Sequence, residues 1–171
     1  MALENSGLPP PFEELMQRHE REIMRYLLRV TGHREDAADL FQETFIRAYR
    51  AYPRINRDGD LRPWLYTIAT NLCRNRARDS ARRSRVIVQS SDDSPPDALG
   101  KSHRSPHEDE GYAAVRMREL VSGLPAKQRQ SLHLRYFAGL KYAEIAAAMG
   151  CSEESARANV SQAMKKLKAT W

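Results

Sequence analysis

Only two cysteines occur in the 171 residues, Cys73 and Cys151, and each stands alone inside an apolar helical pattern. That placement argues for buried, reduced thiols rather than a disulfide or a metal pair. No uninterrupted apolar run approaches the roughly 18 residues of a membrane span. The opening MALENSGLPPP also lacks the pattern of a signal peptide, so a cytoplasmic location is expected. Neither strand alternation nor a repeat at solenoid period is visible. There is no glycine-rich phosphate loop, no serine or cysteine nucleophile in a recognisable setting and no metal quartet, so neither catalysis nor a cofactor is expected. Of five histidines only His103 and His107 have ligand-like spacing, with Glu108 and Asp109 beside them. Their segment reads as unstructured, and no metal site is expected there.

What is present is helical pattern and positive charge. The net charge of +6 favours a polyanionic partner, and 41% hydrophobic residues suffice for cores in one medium domain or two small ones. The most informative stretch is Gly139 to Lys168, two short helical patterns separated by Gly150-Cys151-Ser152. Apolar residues fall at helical spacing in both: Tyr142, Ile145, Ala146 and Met149, then Ala156, Val160, Ala163 and Leu167. A glycine ends the first helix, a serine can cap the second, and Glu153 and Glu154 suit the positive end of the second helix's dipole. This is the plan of a helix-turn-helix. Ser155, Arg157, Asn159, Gln162, Lys165 and Lys166 are left on the outer face of the second helix. Groups able to bond base edges come first along it and phosphate-neutralising lysines later, as major-groove entry by its N-terminal half requires.

Upstream, an amphipathic helix carries Phe12, Leu15, Met16, Ile23, Tyr26, Leu27 and Val30 and ends at Thr31-Gly32. A second, about Arg34 to Tyr52, has the stripe Ala37, Phe41, Phe45, Ala48 and Tyr52 with Leu40 flanking. Glu35, Asp36, Asp39, Gln42 and Glu43 give its first half an acidic and amide surface suited to docking a protein. After Pro53 and a loop from Arg54 to Asp60, a third helix buries Leu61, Trp64, Leu65, Ile68 and Leu72. Its far end carries Arg74, Arg76, Arg78, Arg82, Arg83 and Arg85 against Asp79; with Asn71, Asn75, Trp64 and Tyr66 this is the composition expected of a DNA surface. Residues 84–110 turn to Ser, Asp, Pro and Gly and reverse the charge, which reads as a flexible acidic tether. Beyond it, a helix Tyr112–Ser122 carries Tyr112, Val115, Leu120 and Val121, and another, Pro125–Phe137, offers Leu132, Tyr136 and Phe137 to a core. The expectation is an all-α chain: a helical domain over 8–85, a linker over 86–110 and a helix-turn-helix domain over 111–171.

Four segments together resemble the bacterial extracytoplasmic-function sigma factors: Asp39-Leu40-Phe41-Gln42-Glu43-Thr44-Phe45, Pro63 to Asn71, Leu124-Pro125 with Arg129, and the helix-turn-helix from Tyr142 to Leu167. The resemblance covers nearly all of residues 12–168. It implies a protein that binds core RNA polymerase and directs it to promoters without catalysing a reaction, with an anti-sigma factor as a further partner. It also implies roles for residues. Asp39, Gln42, Glu43 and Phe45 would dock on the clamp of the largest polymerase subunit. Arg57, Arg62, Asn71, Asn75, Arg76 and Arg78 would open and read the minus-ten element. Ser155, Arg157, Ala158, Asn159, Gln162, Lys165 and Lys166 would read and grip the minus-thirty-five element. Two departures from the family pattern stand out. Glu154-Ser155-Ala156-Arg157-Ala158-Asn159 stands where many relatives have Gly-Thr-Val-Lys-Ser-Arg, and Leu61 stands where an aromatic is common. Two other readings use the same residues: a decoy that sequesters an anti-sigma factor, and a helix-turn-helix regulator acting alone. Neither accounts for the acidic docking face together with the arginine set, and no dimerisation helix is evident for the second.

Overall fold

A computed structural model describes residues 11–55, 59–88 and 111–171, with only the backbone described over 84–88. The loop residue Arg57, the histidine pair His103 and His107 and nearly all of the expected linker lie outside it. Seven α-helices make up the described chain: α1 (Phe12–Thr31), α2 (Arg34–Ala51), α3 (Arg62–Val88), α4 (Tyr112–Ser122), α5 (Ala126–Tyr136), α6 (Tyr142–Met149) and α7 (Glu153–Thr170). A single 3-10 turn, Tyr52–Arg54, follows α2. Helix α3 runs past the expected boundary at residue 85.

The ends of the helices follow from local chemistry. Helix α1 stops where Gly32 takes φ 73°, a left-handed conformation that costs glycine little, and its N–H returns to the Leu28 carbonyl. Gly150 does the same after α6 at φ 62°. Two residues on, the Ser152 hydroxyl accepts from the Ser155 N–H at 3.1 Å and starts α7. The Lys141 N–H donates to the Glu144 carboxylate at 2.7 Å at the start of α6.

Leu15, Ile23, Tyr26, Leu27 and Val30 of α1 are buried, as their spacing predicts. In α2 the buried row is Ala37, Leu40, Thr44, Phe45 and Ala48, so Leu40 and not Phe41 faces inward. A stripe of Phe41 with Phe45 satisfies the same 3.6-residue period, and only the placement of α1 and α3 decides between them. Helix α3 buries Leu65, Tyr66, Ala69, Leu72 and Cys73. Tyr66 is therefore core and no part of a DNA surface: its ring meets Tyr26 edge-on at 5.2 Å, and the Tyr26 hydroxyl bonds Thr70 at 2.8 Å.

Helices on either side of the undescribed segment share one apolar cluster. Leu134, Ala138, Leu140, Ile145, Ala148 and Met149 join the residues of α1, α2 and α3, with α3 packed on α6 and α1 on α5. A smaller cluster, Leu124, Leu132, Ala163 and Leu167, holds α5 to α7. Helix α5 is surrounded, burying even Gln128, Arg129, Ser131 and His133. The Arg129 guanidinium donates to the Ser122 and Leu124 carbonyls and fixes the α4–α5 connection. Tyr136 and Phe137, expected in the core, are instead 60% and 56% exposed. They leave the end of α5, where Phe137 receives the Arg29 guanidinium at 4.1 Å from its ring centre. Tyr112 is also exposed, and α4 has no fully buried residue.

His133 is 4% exposed and its Nδ1 meets no hydrogen-bond partner. Burial, reinforced by the charges of Arg29 and Arg129, lowers its pKa to about 4. A histidine held below its unfolded value of about 6.5 is neutral in the fold, so protons bind the unfolded chain in preference. Its contribution to stability is complete above pH ~6.5 and is lost as the pH falls from there toward about 4. At roughly 1.4 kcal/mol per pH unit the loss reaches about 3 kcal/mol. Denaturant titrations between pH 7 and 4 are expected to show this component in the wild type and not in His133→Leu.

Candidate nucleic-acid and protein-docking surfaces

Helix α7 turns Ala156, Val160, Ala163 and Leu167 inward. The seven residues expected to meet DNA therefore lie off that stripe, and Ser155, Arg157, Ala158, Gln162, Lys165 and Lys166 are exposed. Their surroundings differ. Arg157 is held by the Glu153 carboxylate at 2.5 Å and lies 4.7 Å from the centre of the Tyr142 ring. Gln162 accepts from the Gln128 amide at 2.8 Å. Ser155, Ala158 and the half-buried Asn159 line a cavity of about 340 Å³, walled opposite by Arg74 of α3 and Lys127 of α5. An added Cβ at Gly150 would lie 3.1 Å from the Arg74 guanidinium, so α3 comes close to the turn of the helix-turn-helix.

Along α3, Asn71, Asn75, Arg78 and Arg82 are exposed at spacings of four, three and four, which makes one continuous polar row. Arg76 and Arg62 have other attachments. Arg76 pairs with Asp36 and lies 3.7 Å from Asp39, tying α3 to α2. The Arg62 Nε donates to Glu22 at 2.8 Å, and its terminal nitrogen donates to the Ala138 carbonyl between α5 and α6. Glu22 also takes His19 Nδ1 at 2.5 Å. The family resemblance groups these two arginines with the row on α3; the structure places them in ion pairs between helices.

On α2, Asp39 and Gln42 are exposed and Glu43 is half-buried, bonded by Arg47 at 2.6 Å. Phe45 is buried at 6% and sits in the floor of an open groove of about 570 Å³ between α1 and α2. Phe12, Met16, Met24, Phe41, Ile46 and Tyr49 form the rest of its apolar lining, with Asp39 and Gln42 on the rim. The ring of Phe12 lies edge-on to Phe45, Tyr49 and Tyr52 at 6.4, 5.3 and 5.3 Å. Ile46 and Tyr49 remain 40% and 61% exposed. Such a groove takes the apolar face of a helix, and its rim favours a cationic or amide-rich one. Sequence reading missed the groove, although Ile46 and Tyr49, large apolar residues off the buried stripe of α2, are a signal for it.

Among the described residues no group of three or more His, Cys, Asp or Glu is arranged to hold a metal, and no helix is long and apolar enough to cross a membrane. Cys73 is buried and its thiol is pushed up to about 12 by that burial; Cys151 is half-buried, and both are free thiols.

Both helical regions have counterparts among known proteins. Residues 15–83 match Sigma-70 region 2, and residues 114–167 match Sigma-70, region 4. The chain is 31% identical over 159 residues to the RNA polymerase sigma-H factor of Pseudomonas aeruginosa, covering 89% of this chain and 81% of that one. It is 30% identical over 163 residues to the ECF RNA polymerase sigma factor SigM of Bacillus subtilis, covering 93% and 94%. Among solved structures, the sigma factor RpoE of Bartonella quintana, in complex with the anti-sigma factor NepR, shares the fold. Its TM-score is 0.75 at 20% identity, over 92% of this chain and 94% of that one. Since the two sigma-70 regions follow each other in order and these relatives are matched over most of their length, the chain belongs to the extracytoplasmic-function sigma factors.

Proposed function

We propose that the protein binds core RNA polymerase through α2 and directs it to promoters whose minus-ten element is met by α3 and whose minus-thirty-five element is met by α7. The observation that carries the reading is the separation of chemistry by helix. An acidic and amide rim borders an apolar groove on α2, an asparagine and arginine row runs along α3, and α7 leads with Ser155 and Arg157 and trails with lysines. The first suits a helix of a protein, the second an unpaired or melted strand, and the third a major groove. Within this reading 8–85 and 111–171 are the two functional segments and 86–110 joins them. Asp39, Gln42 and Glu43 contact the polymerase clamp while Phe45 shapes the groove beneath. Asn71, Asn75 and Arg78 meet the minus-ten strand directly, whereas Arg62 and Arg76 must first leave Glu22 and Asp36. Arg57 belongs to the same group by sequence.

The protein acts in the cytoplasm as an initiation factor and catalyses nothing itself. The solved likeness to a sigma factor held by NepR supports an anti-sigma factor as a further partner. The test is co-purification with core polymerase followed by in vitro transcription on a genomic promoter library. A common upstream sequence among the transcribed promoters is expected. A chain that captures no polymerase yet binds DNA is a stand-alone regulator, and one that does neither is a decoy.

A further inference from the structure

Tyr142 opens α6, half-buried, and its hydroxyl makes no hydrogen bond among the described residues. Its ring nevertheless has two cations on it. The guanidinium carbons of Arg135, from α5, and Arg157, from α7, each lie 4.7 Å from the ring centre. Arg135 is anchored separately, donating to the Leu140 carbonyl at 3.0 Å, and Arg157 is braced by Glu153, one turn earlier on α7, at 2.5 Å. A guanidinium within about 6 Å of an aromatic centre is attracted by the negative face of the ring. Two guanidinium groups sharing one ring repel each other, and the Glu153 carboxylate offsets that repulsion on the Arg157 side.

We infer that Tyr142 is a positioning residue for promoter reading: its ring, which Arg135 also contacts, fixes together with the Glu153 carboxylate the direction in which Arg157 presents its donors to a base edge. The inference rests on the proposed role of α7 in reading the minus-thirty-five element. Its physical basis is that Arg157 stays 60% exposed while its guanidinium rests against both the Tyr142 ring and the Glu153 carboxylate. A long exposed arginine otherwise has to be immobilised when it meets a base, and that entropic cost falls on the correct and incorrect sequences unequally only if the geometry is exact. Because the hydroxyl is unbonded, the ring alone does this, and phenylalanine should replace tyrosine without loss.

The experiment uses holoenzyme reconstituted from core polymerase and the full chain, with transcription measured on the preferred promoter and on single-base variants of its minus-thirty-five element. Arg157→Ala identifies the base position whose preference depends on Arg157. Tyr142→Leu is expected to lower the preference at that same position about five- to tenfold, part of what one bidentate contact supplies. Other positions should be unchanged, Tyr142→Phe should match the wild type, and Arg135→Met should fall between. A uniform loss at all sequences, or an unchanged preference in Tyr142→Leu, overturns the proposal. If the wild type has no preference that Arg157→Ala removes, the reading of α7 fails and takes this inference with it. A second measurement does not depend on transcription. In the free full-length protein the Arg157 Nε–H resonance should be displaced by the ring current of Tyr142, retained in Tyr142→Phe and lost in Tyr142→Leu. An undisplaced resonance in the wild type means there is no stack.

Discussion

Reversing Asp39 and Glu43 to lysine is expected to lower affinity for core polymerase about 100-fold, equivalent to ~2.8 kcal/mol, while leaving the helical content unchanged. Both conditions follow from where the two side chains are. Asp39 is 72% exposed and Glu43 42% exposed, so neither is needed to fill the core, which under α2 is made by Ala37, Leu40, Thr44 and Ala48. Their local pairs, Glu43 with Arg47 and Asp39 with the more distant Arg76, are exposed surface pairs worth roughly 0–1 kcal/mol each, so the fold tolerates their loss. At a docked interface the same charges face a partner directly. Reversal then removes an attraction and adds a repulsion, at Asp39 on the rim of the apolar groove itself. Pull-down titration against core polymerase, with circular dichroism of each variant, measures the two halves of the expectation. Unchanged affinity would remove α2 from the interface.

Substitutions on α7 are expected to differ in kind according to their distance from its N-terminus. Replacing Arg157 or Asn159 by alanine should cost about 1–3 kcal/mol on the preferred minus-thirty-five sequence and relax preference at particular bases. Replacing Lys165 and Lys166 should weaken binding to every sequence alike and reduce the salt slope by roughly one unit per lysine. The first two lie in the turns that begin at the Ser152 cap, where side chains can reach base edges, whereas the lysines are exposed two to three turns on. Affinity across single-base variants at several salt concentrations separates the cases. A uniform loss from Arg157→Ala and Asn159→Ala would mean that another face of α7 meets the bases.

The helix-turn-helix was legible because everything that builds it is local. Gly150, the Ser152 cap and the Ala156–Leu167 stripe are each specified within a few residues, and each stands as read. The helices upstream were legible as helices but less so by face. Leu40 and Phe41 are adjacent and both apolar, and choosing the inward one requires knowing where α1 and α3 lie. Tyr66 and the pair Tyr136 and Phe137 exchanged expected places for the same reason: an aromatic ring suits either a core or a surface, and the third dimension decides. The least legible features join residues far apart in the chain. Nothing near Arg62 announces Glu22 or the Ala138 carbonyl, and nothing near Arg76 announces Asp36.

The apolar cluster that runs from α3 into α6 bears on how the two sigma-70 regions can be handled apart. Ala69 and Leu72 lie in one matched region and Leu134, Leu140, Ile145 and Met149 in the other, yet all belong to a single packed interior. In this arrangement the two matched regions share one packed interior. A cavity cut under α3 loosens the helix-turn-helix as well, and a fragment ending before residue 111 or beginning there would carry a raw hydrophobic face into solution. Loss of promoter binding by a truncated or core-mutated chain is therefore no guide to which region touches DNA; only exchanges at exposed positions such as Asn71, Asn75, Arg157 and Lys165 report on contact without also reporting on folding.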